Sequence, residues 1–310
     1  MGYFSKGEIK VSATTKKKMS KNAKKSALSV SPLEFDVNNL VVKKVSSKKG
    51  AVTFEMVDLA YKYGGGKEEK LMVKFSRCFT FGLKNCYKFQ AARTPENIKP
   101  GEFEFSIVPY SKEWATNPTP MDLALEKMER EIIDKVRAVC AKDEGISEKL
   151  QKKFKKKNPD YKDAEDCGVS PIFGWQKEKR EEGDKRKDMP IDPTKQKIFN
   201  VKTMSSRGGN GKPITMYSVF RAPRRTTPLD YKTLLNKTGD AAACVIFEGF
   251  FVKGTEKLCL QPKLYDAVFT EKAREYVPAA DDDEFDDDEG KVEEENAEFD
   301  ESDEEETLDD

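Results

Sequence analysis

Residues 70–82, KLMVKFSRCFTFG, decide the fold class of this chain. Leu71, Val73, Phe75, Arg77, Phe79 and Phe81 fall on one side of an extended backbone, with Met72, Lys74, Ser76 and Thr80 on the other. A two-residue period rich in aromatic and branched side chains marks a half-buried strand. Upstream, Leu33–Val45 and Ala51–Tyr63 read as further strands, separated by a polar turn at Ser46-Ser47-Lys48-Lys49-Gly50, and Gly64-Gly65-Gly66 breaks the chain before the decisive stretch. Downstream, Cys86–Gln90 and Glu102–Tyr110 continue the pattern, with Phe103, Phe105 and Ile107 alternating against Glu104 and Ser106.

One helix interrupts the strands. Thr119 suits an N-cap, Pro120 the first helical position and Asp122 the positive end of the dipole. Met121, Leu125, Met128, Ile132, Val136 and Val139 then recur every three or four residues, a stripe that docks on a sheet. Residues 142–195 form a charged insertion, part helix and part loop, in which Ile172, Phe173 and Trp175 offer most of the apolar surface. Strands return at Lys195–Met204 and Pro213–Arg221, joined as a hairpin by Ser205–Lys212, and at Ala241–Lys253 and Lys257–Phe269, joined at Gly254-Thr255. Short strands around one helix predict a mainly β fold, a small antiparallel barrel with a charged insertion.

The net charge of zero conceals two objects. Residues 281–310 hold 20 Asp or Glu against the single Lys291, so the remaining chain carries a net charge of +19. The expected organisation is a disordered basic arm over 1–31, a folded domain over 32–278 and a disordered acidic tail over 279–310. The arm's Lys16, Lys17, Lys18, Lys21, Lys24 and Lys25 suit phosphate contact or nuclear import.

Histidine is absent, which removes Ser-His-Asp and Cys-His chemistry and the usual His-based zinc sites. The six cysteines are scattered with no C-x-x-C pair, and read as reduced core thiols. No metal, cofactor or catalytic role is expected. No run of 18 apolar residues suggests a membrane span.

Cations interleaved with aromatics suit a single-stranded nucleic acid, because cations track the backbone while rings stack on bases. One such set is Lys74, Phe75, Arg77, Phe79, Phe81, Lys84, Tyr87, Lys88 and Phe89; the other is Phe199, Lys202, Arg207, Lys212, Tyr217, Phe220, Arg221, Arg224 and Arg225. The competing reading is that strand aromatics face the core and lysines are solvated. In the tail, Phe285 and Phe299 sit among carboxylates, so this segment can mimic a nucleic-acid strand and dock on basic surfaces.

The strand Lys70–Gly82, the hairpin Val245–Phe269 running into the acidic tail, and the capped helix between the strand groups resemble the single-stranded-DNA-binding proteins of large nucleocytoplasmic DNA viruses. That group is similar to the acidic-tailed binding proteins of short-tailed phages. The resemblance implies an OB-like barrel that binds single strands during viral DNA replication, recombination or repair. It also implies an intracellular site of action, in host cytoplasm or nucleus, and a tail that recruits replication proteins. Phage tails of this kind end in an aromatic residue, whereas this sequence ends Leu308-Asp309-Asp310, so Phe285 or Phe299 would have to serve. Two other functions fit the composition: a chaperone of histones or other basic proteins, and a DNA-condensing protein of the virion core. Self-association stays open.

Overall fold

A computed structural model describes residues 28–48, 54–64, 66–85, 103–156, 164–178, 190–204, 216–253 and 257–272. These residues form a mainly β fold with nine strands. Strands β1 (Leu40–Val42), β2 (Ser46–Lys48), β3 (Phe54–Lys62), β4 (Glu68–Asn85) and β5 (Phe103–Val108) precede three helices. The helices are α1 (Pro120–Cys140), α2 (Glu148–Phe154) and the single turn α3 (Ala164–Cys167). Strands β6 (Phe199–Thr203), β7 (Val219–Arg221), β8 (Gly239–Lys253) and β9 (Lys257–Glu271) follow. Five strands close a ring of pairings in the order β4, β5, β6, β9, β8 and back to β4. All are antiparallel except β6 with β9. Strand β3 pairs with β8 and the start of β4, and also carries β1 and β2.

The alternation of β4 holds only as far as Phe75. Phe75 faces Ala243, but Cys78 faces Ala241, so three steps on β4 match two on β8. A second irregularity lies between Thr80 and Leu83 against β5. Each extra residue reverses which side chains point inward. Leu71, Val73 and Phe75 are buried, whereas Arg77 and Phe79 emerge on the outside and Thr80 turns inward, donating its hydroxyl to the Ser106 carbonyl at 2.7 Å. The expectation that Arg77, Phe79 and Phe81 share the Leu71 face is therefore corrected. Gly82 closes the second irregularity at φ 74°, where an added Cβ would lie 2.0 Å from the Lys237 carbonyl oxygen. Gly82→Ala should cost at least about 1–3 kcal/mol and lower the thermal midpoint by several degrees. An unchanged melting curve would contradict this register.

Three other expectations change. Over Leu33–Val45 the chain makes 3-10 turns at Pro32–Glu34 and Val37–Asn39 before β1, because Ser31 and Asp36 cap them with side-chain oxygens. Ser46–Lys48, expected as a turn, is strand β2 paired with β3. Most consequentially, β6 and β7 are not a hairpin: both run parallel to β9, at Lys263–Leu264 and Asp266–Val268 respectively. Residues 205–215, outside the described residues, connect them. The excursion is pinched at its base, where Tyr217 N–H donates to the Met204 carbonyl at 2.8 Å and Met204 N–H to Ser218 Oγ at 2.7 Å.

Helix α1 forms as its sequence dictates. Thr119 and Asp122 make a reciprocal capping box, and Leu125, Met128, Ile132 and Val136 are fully or almost fully buried. Burial works against the Asp122 charge, but hydrogen bonds from Ser111 and Thr119 outweigh it and hold the carboxyl below its usual range. The charged insertion contributes more core than its sequence suggested: Ile146, Leu150, Phe154, Cys167 and Val169 are buried along with Ile172 and Phe173. Arg137 explains how a lysine-rich helix docks there, since its Nη2 donates to the carbonyls of Lys153, Phe154 and Lys156 at the end of α2. Trp175 is only half-buried. Phe173 packs edge to face on Phe199 at 5.2 Å, on Tyr110 at 5.4 Å and on Phe75 at 6.4 Å. Cys78, Cys140, Cys167, Cys244 and Cys259 are free thiols, and burial pushes Cys78, Cys140 and Cys244 up to about 12. Among the described residues no helix is long and apolar enough to cross a membrane.

Candidate nucleic-acid interface

The side chains that the bulges turn outward lie on the face shared by β4, β8, β9 and β7. Register places Lys74 beside Cys244 and Asp266, and Phe79 beside Asp240 and Thr270. Arg221 lies beside Val268, which is paired with Ala242. Phe79 is 38% exposed, enough to offer ring surface, whereas Phe75 is 2% exposed and offers none. The Phe79 and Phe81 rings meet edge to face at 5.1 Å, and the Lys84 ammonium sits 4.8 Å over Phe81. The strip Arg77, Phe79, Phe81, Lys84 thus sets a pair of rings between two cations along one strand. Lys84 is then in line with Glu104 of β5, Lys202 of β6 and Lys263 of β9.

Two carboxylates order the cations. Asp240 Oδ2 takes Arg77 Nε at 2.7 Å and Nη2 at 2.5 Å, while its Oδ1 takes Lys272 Nζ at 2.8 Å. The Lys272 hydrogen bond, and after it the Arg77 contacts, hold the Asp240 carboxyl below its usual range, so it is ionised at neutral pH. Asp266 Oδ2 takes Arg221 Nη1 at 3.2 Å. Arg224 and Arg225 are exposed on the turn after β7, with Arg224 at φ 61°. Strand β7 runs parallel to β9, so this turn lies toward the end of the face that holds Phe79, Thr270 and Lys272.

Searches against protein-family models and curated proteins find no match to this chain.

Of the residues nominated from sequence, Lys74, Arg77, Phe79, Arg221, Arg224 and Arg225 come together around one face. Lys84 and Lys202 form a second group across β5, and Tyr217, 55% exposed, stands at the base of the 205–215 excursion. Tyr87, Lys88, Arg207, Lys212, Phe285 and Phe299 lie outside the described residues, as do Phe89 and the whole acidic tail. Phe75, Phe199 and Phe220 are core side chains, each at most 2% exposed. Arg77 and Arg221, nominated as phosphate ligands, each also hold a carboxylate. The sequence reading missed Asp240, Lys272 and Lys263, which reach these faces only through the register of β8 and β9 and carry no local motif.

Proposed function

We propose that this chain is a non-enzymatic single-stranded-DNA-binding protein whose five-stranded ring is an OB-like barrel. The reading places its action in viral DNA replication, recombination or repair. One observation carries it: the strip of cations and rings, Arg77 and Phe79 turned outward by a bulge, along one strand of a closed five-strand ring. OB barrels are five-stranded Greek-key barrels that bind oligonucleotides through strands 2–3 and the loops joining strands 1–2 and 4–5. Counting around this ring in chain order, those strands are β5 and β6, and the corresponding connections, residues 86–102 and 254–256, lie outside the described residues. Lys202 lies on β6 and Lys84 beside β5, and Tyr87 and Lys88 belong to the first of these connections in sequence.

Single strands offer unstacked bases and phosphates together, which is what alternating rings and cations recognise without reading sequence. Residues 281–310 bring a net charge of −19. They serve here as an internal competitor for the cationic face, and through Phe285 and Phe299 as a dock for replication proteins. Phe79→Ala should weaken binding of an oligothymidylate by about 1–3 kcal/mol, the scale of one stacked base. Duplex binding should stay unchanged, since paired bases cannot reach the ring. Fluorescence-anisotropy titrations on a variant with a native melting curve decide it; equal losses on both substrates would remove the stacking role.

A further inference from the structure

We propose that Asp240 is a positioning residue that assembles a single-nucleotide subsite from Arg77, Phe79 and Lys272. The inference rests on the single-strand reading above and names how one part of that site is built. Arg77 presents its side chain 79% exposed, yet it is anchored. Its Nε and Nη2 both point at Asp240 Oδ2, which uses one edge of the guanidinium. The remaining N–H groups, on Nη1 and the far side of Nη2, form a free fork with the spacing that grips a phosphate bidentately. An unanchored arginine would lose side-chain entropy on making that contact; this one has already been ordered.

The other oxygen of Asp240 does the same for Lys272, which uses one of its three N–H donors and leaves two. Asp240 itself is 7% exposed, so its carboxylate is a buried anchor and not a rival surface charge. Directly opposite Asp240 in the β4–β8 register stands Phe79. A ring for a base therefore stands beside the carboxylate that holds two cations for phosphates. The bulge between Phe75 and Cys78 is what turns Arg77 and Phe79 onto the face of Asp240. A bulge that re-aims side chains is a common device beside binding sites.

Simple charge counting and this proposal predict opposite signs. Removing a carboxylate from a cationic face should tighten DNA binding if Asp240 only opposes phosphate. If Asp240 positions Arg77 and Lys272, Asp240→Asn should weaken binding of oligothymidylate about tenfold, the scale of one charge-assisted contact. The decisive arrangement is a double-mutant cycle on the full chain, titrating oligothymidylate onto wild type, D240N, R77A and the D240N/R77A pair, with melting curves for each. The expected result is a tenfold loss for D240N that shrinks to about twofold or less in the R77A background, leaving only the Lys272 share. If D240N destabilises the fold, Asp240→Glu keeps the charge and should retain most of the affinity. Tight wild-type binding that D240N leaves equal or strengthens overturns this proposal alone, as does the same loss with and without Arg77. A wild-type protein that fails to hold the strand overturns the single-strand reading with it.

Discussion

Deleting residues 281–310 is expected to tighten single-stranded DNA binding by at least about tenfold near 20 mM salt, with the gain vanishing above roughly 0.5 M as the Debye length contracts. The cause is charge: the segment carries a net −19 and the rest of the chain a net +19. It begins nine positions after Lys272, which is itself tied through Asp240 to Arg77. Thirty residues can extend to about 100 Å, more than enough to cross a domain of this size. The same deletion should leave the thermal midpoint nearly unchanged, because a segment this charged buries little apolar area. It should also abolish recruitment of replication proteins. Truncated and full-length proteins titrated side by side at four salt concentrations provide the check. Identical affinities at the lowest salt would eliminate the competition. If, in addition, histone binding were lost with the segment, the basic-protein chaperone would become the better reading.

The largest stability effect should come from a single buried carboxylate. Glu129 Oε1 accepts the backbone N–H groups of Ile172 and Phe173 at 2.7 and 3.1 Å, and its Oε2 lies 3.3 Å from Lys197 Nζ. Lys197 is equally enclosed: it also meets Glu126 at 2.6 Å and stands over the rings of Trp175, Tyr110 and Trp114. Burial pushes the Glu129 carboxyl above its usual range, against the pull of Lys197 and the two N–H donors. Glu129→Ala strands two buried donors and removes one of the two counter-charges of a buried ammonium, so it should cost about 3–5 kcal/mol. At roughly 2–4 °C per kcal/mol, the thermal midpoint should fall by about 10 °C. Replacing both partners, Glu129→Leu with Lys197→Met, should recover part of that loss, because the buried ammonium goes with its carboxylate and the released Glu126, 36% exposed, can turn to water, while the Ile172 and Phe173 N–H groups stay unpaired. A Glu129→Ala variant that melts within a degree or two of wild type would show that this cluster does not hold the insertion to α1.

What the sequence discloses and what it hides divide along the range of the interactions. The α1 cap is legible because Thr119, Pro120 and Asp122 act within one turn. The inward face of β4 is legible from Leu71 to Phe75 for the same reason. Past Phe75 the outcome depends on β8, more than 160 residues away, and no local pattern announces that Cys78 will pair with Ala241. Residue type nominates Arg77 and Phe79; only the bulge turns them outward. The insertion hides its core for a related reason, since Ile146, Leu150, Phe154, Cys167 and Val169 are single apolar residues in charged surroundings. They are buried only once the insertion folds on itself and joins the common core. The parallel seating of β6 and β7 on β9 is likewise invisible, because a Gly-rich linker between two short strands has the composition of a hairpin loop.

The central claim is tested most directly by competing a single-stranded oligothymidylate against a duplex of equal length for the full-length protein across a salt series. The account predicts preference for the single strand at about 0.15 M salt. It also predicts that log affinity falls with log salt at a slope near −0.7 for each phosphate neutralised, with several phosphates engaged. Equal or tighter binding to the duplex would contradict it and favour a protein that condenses double-stranded DNA.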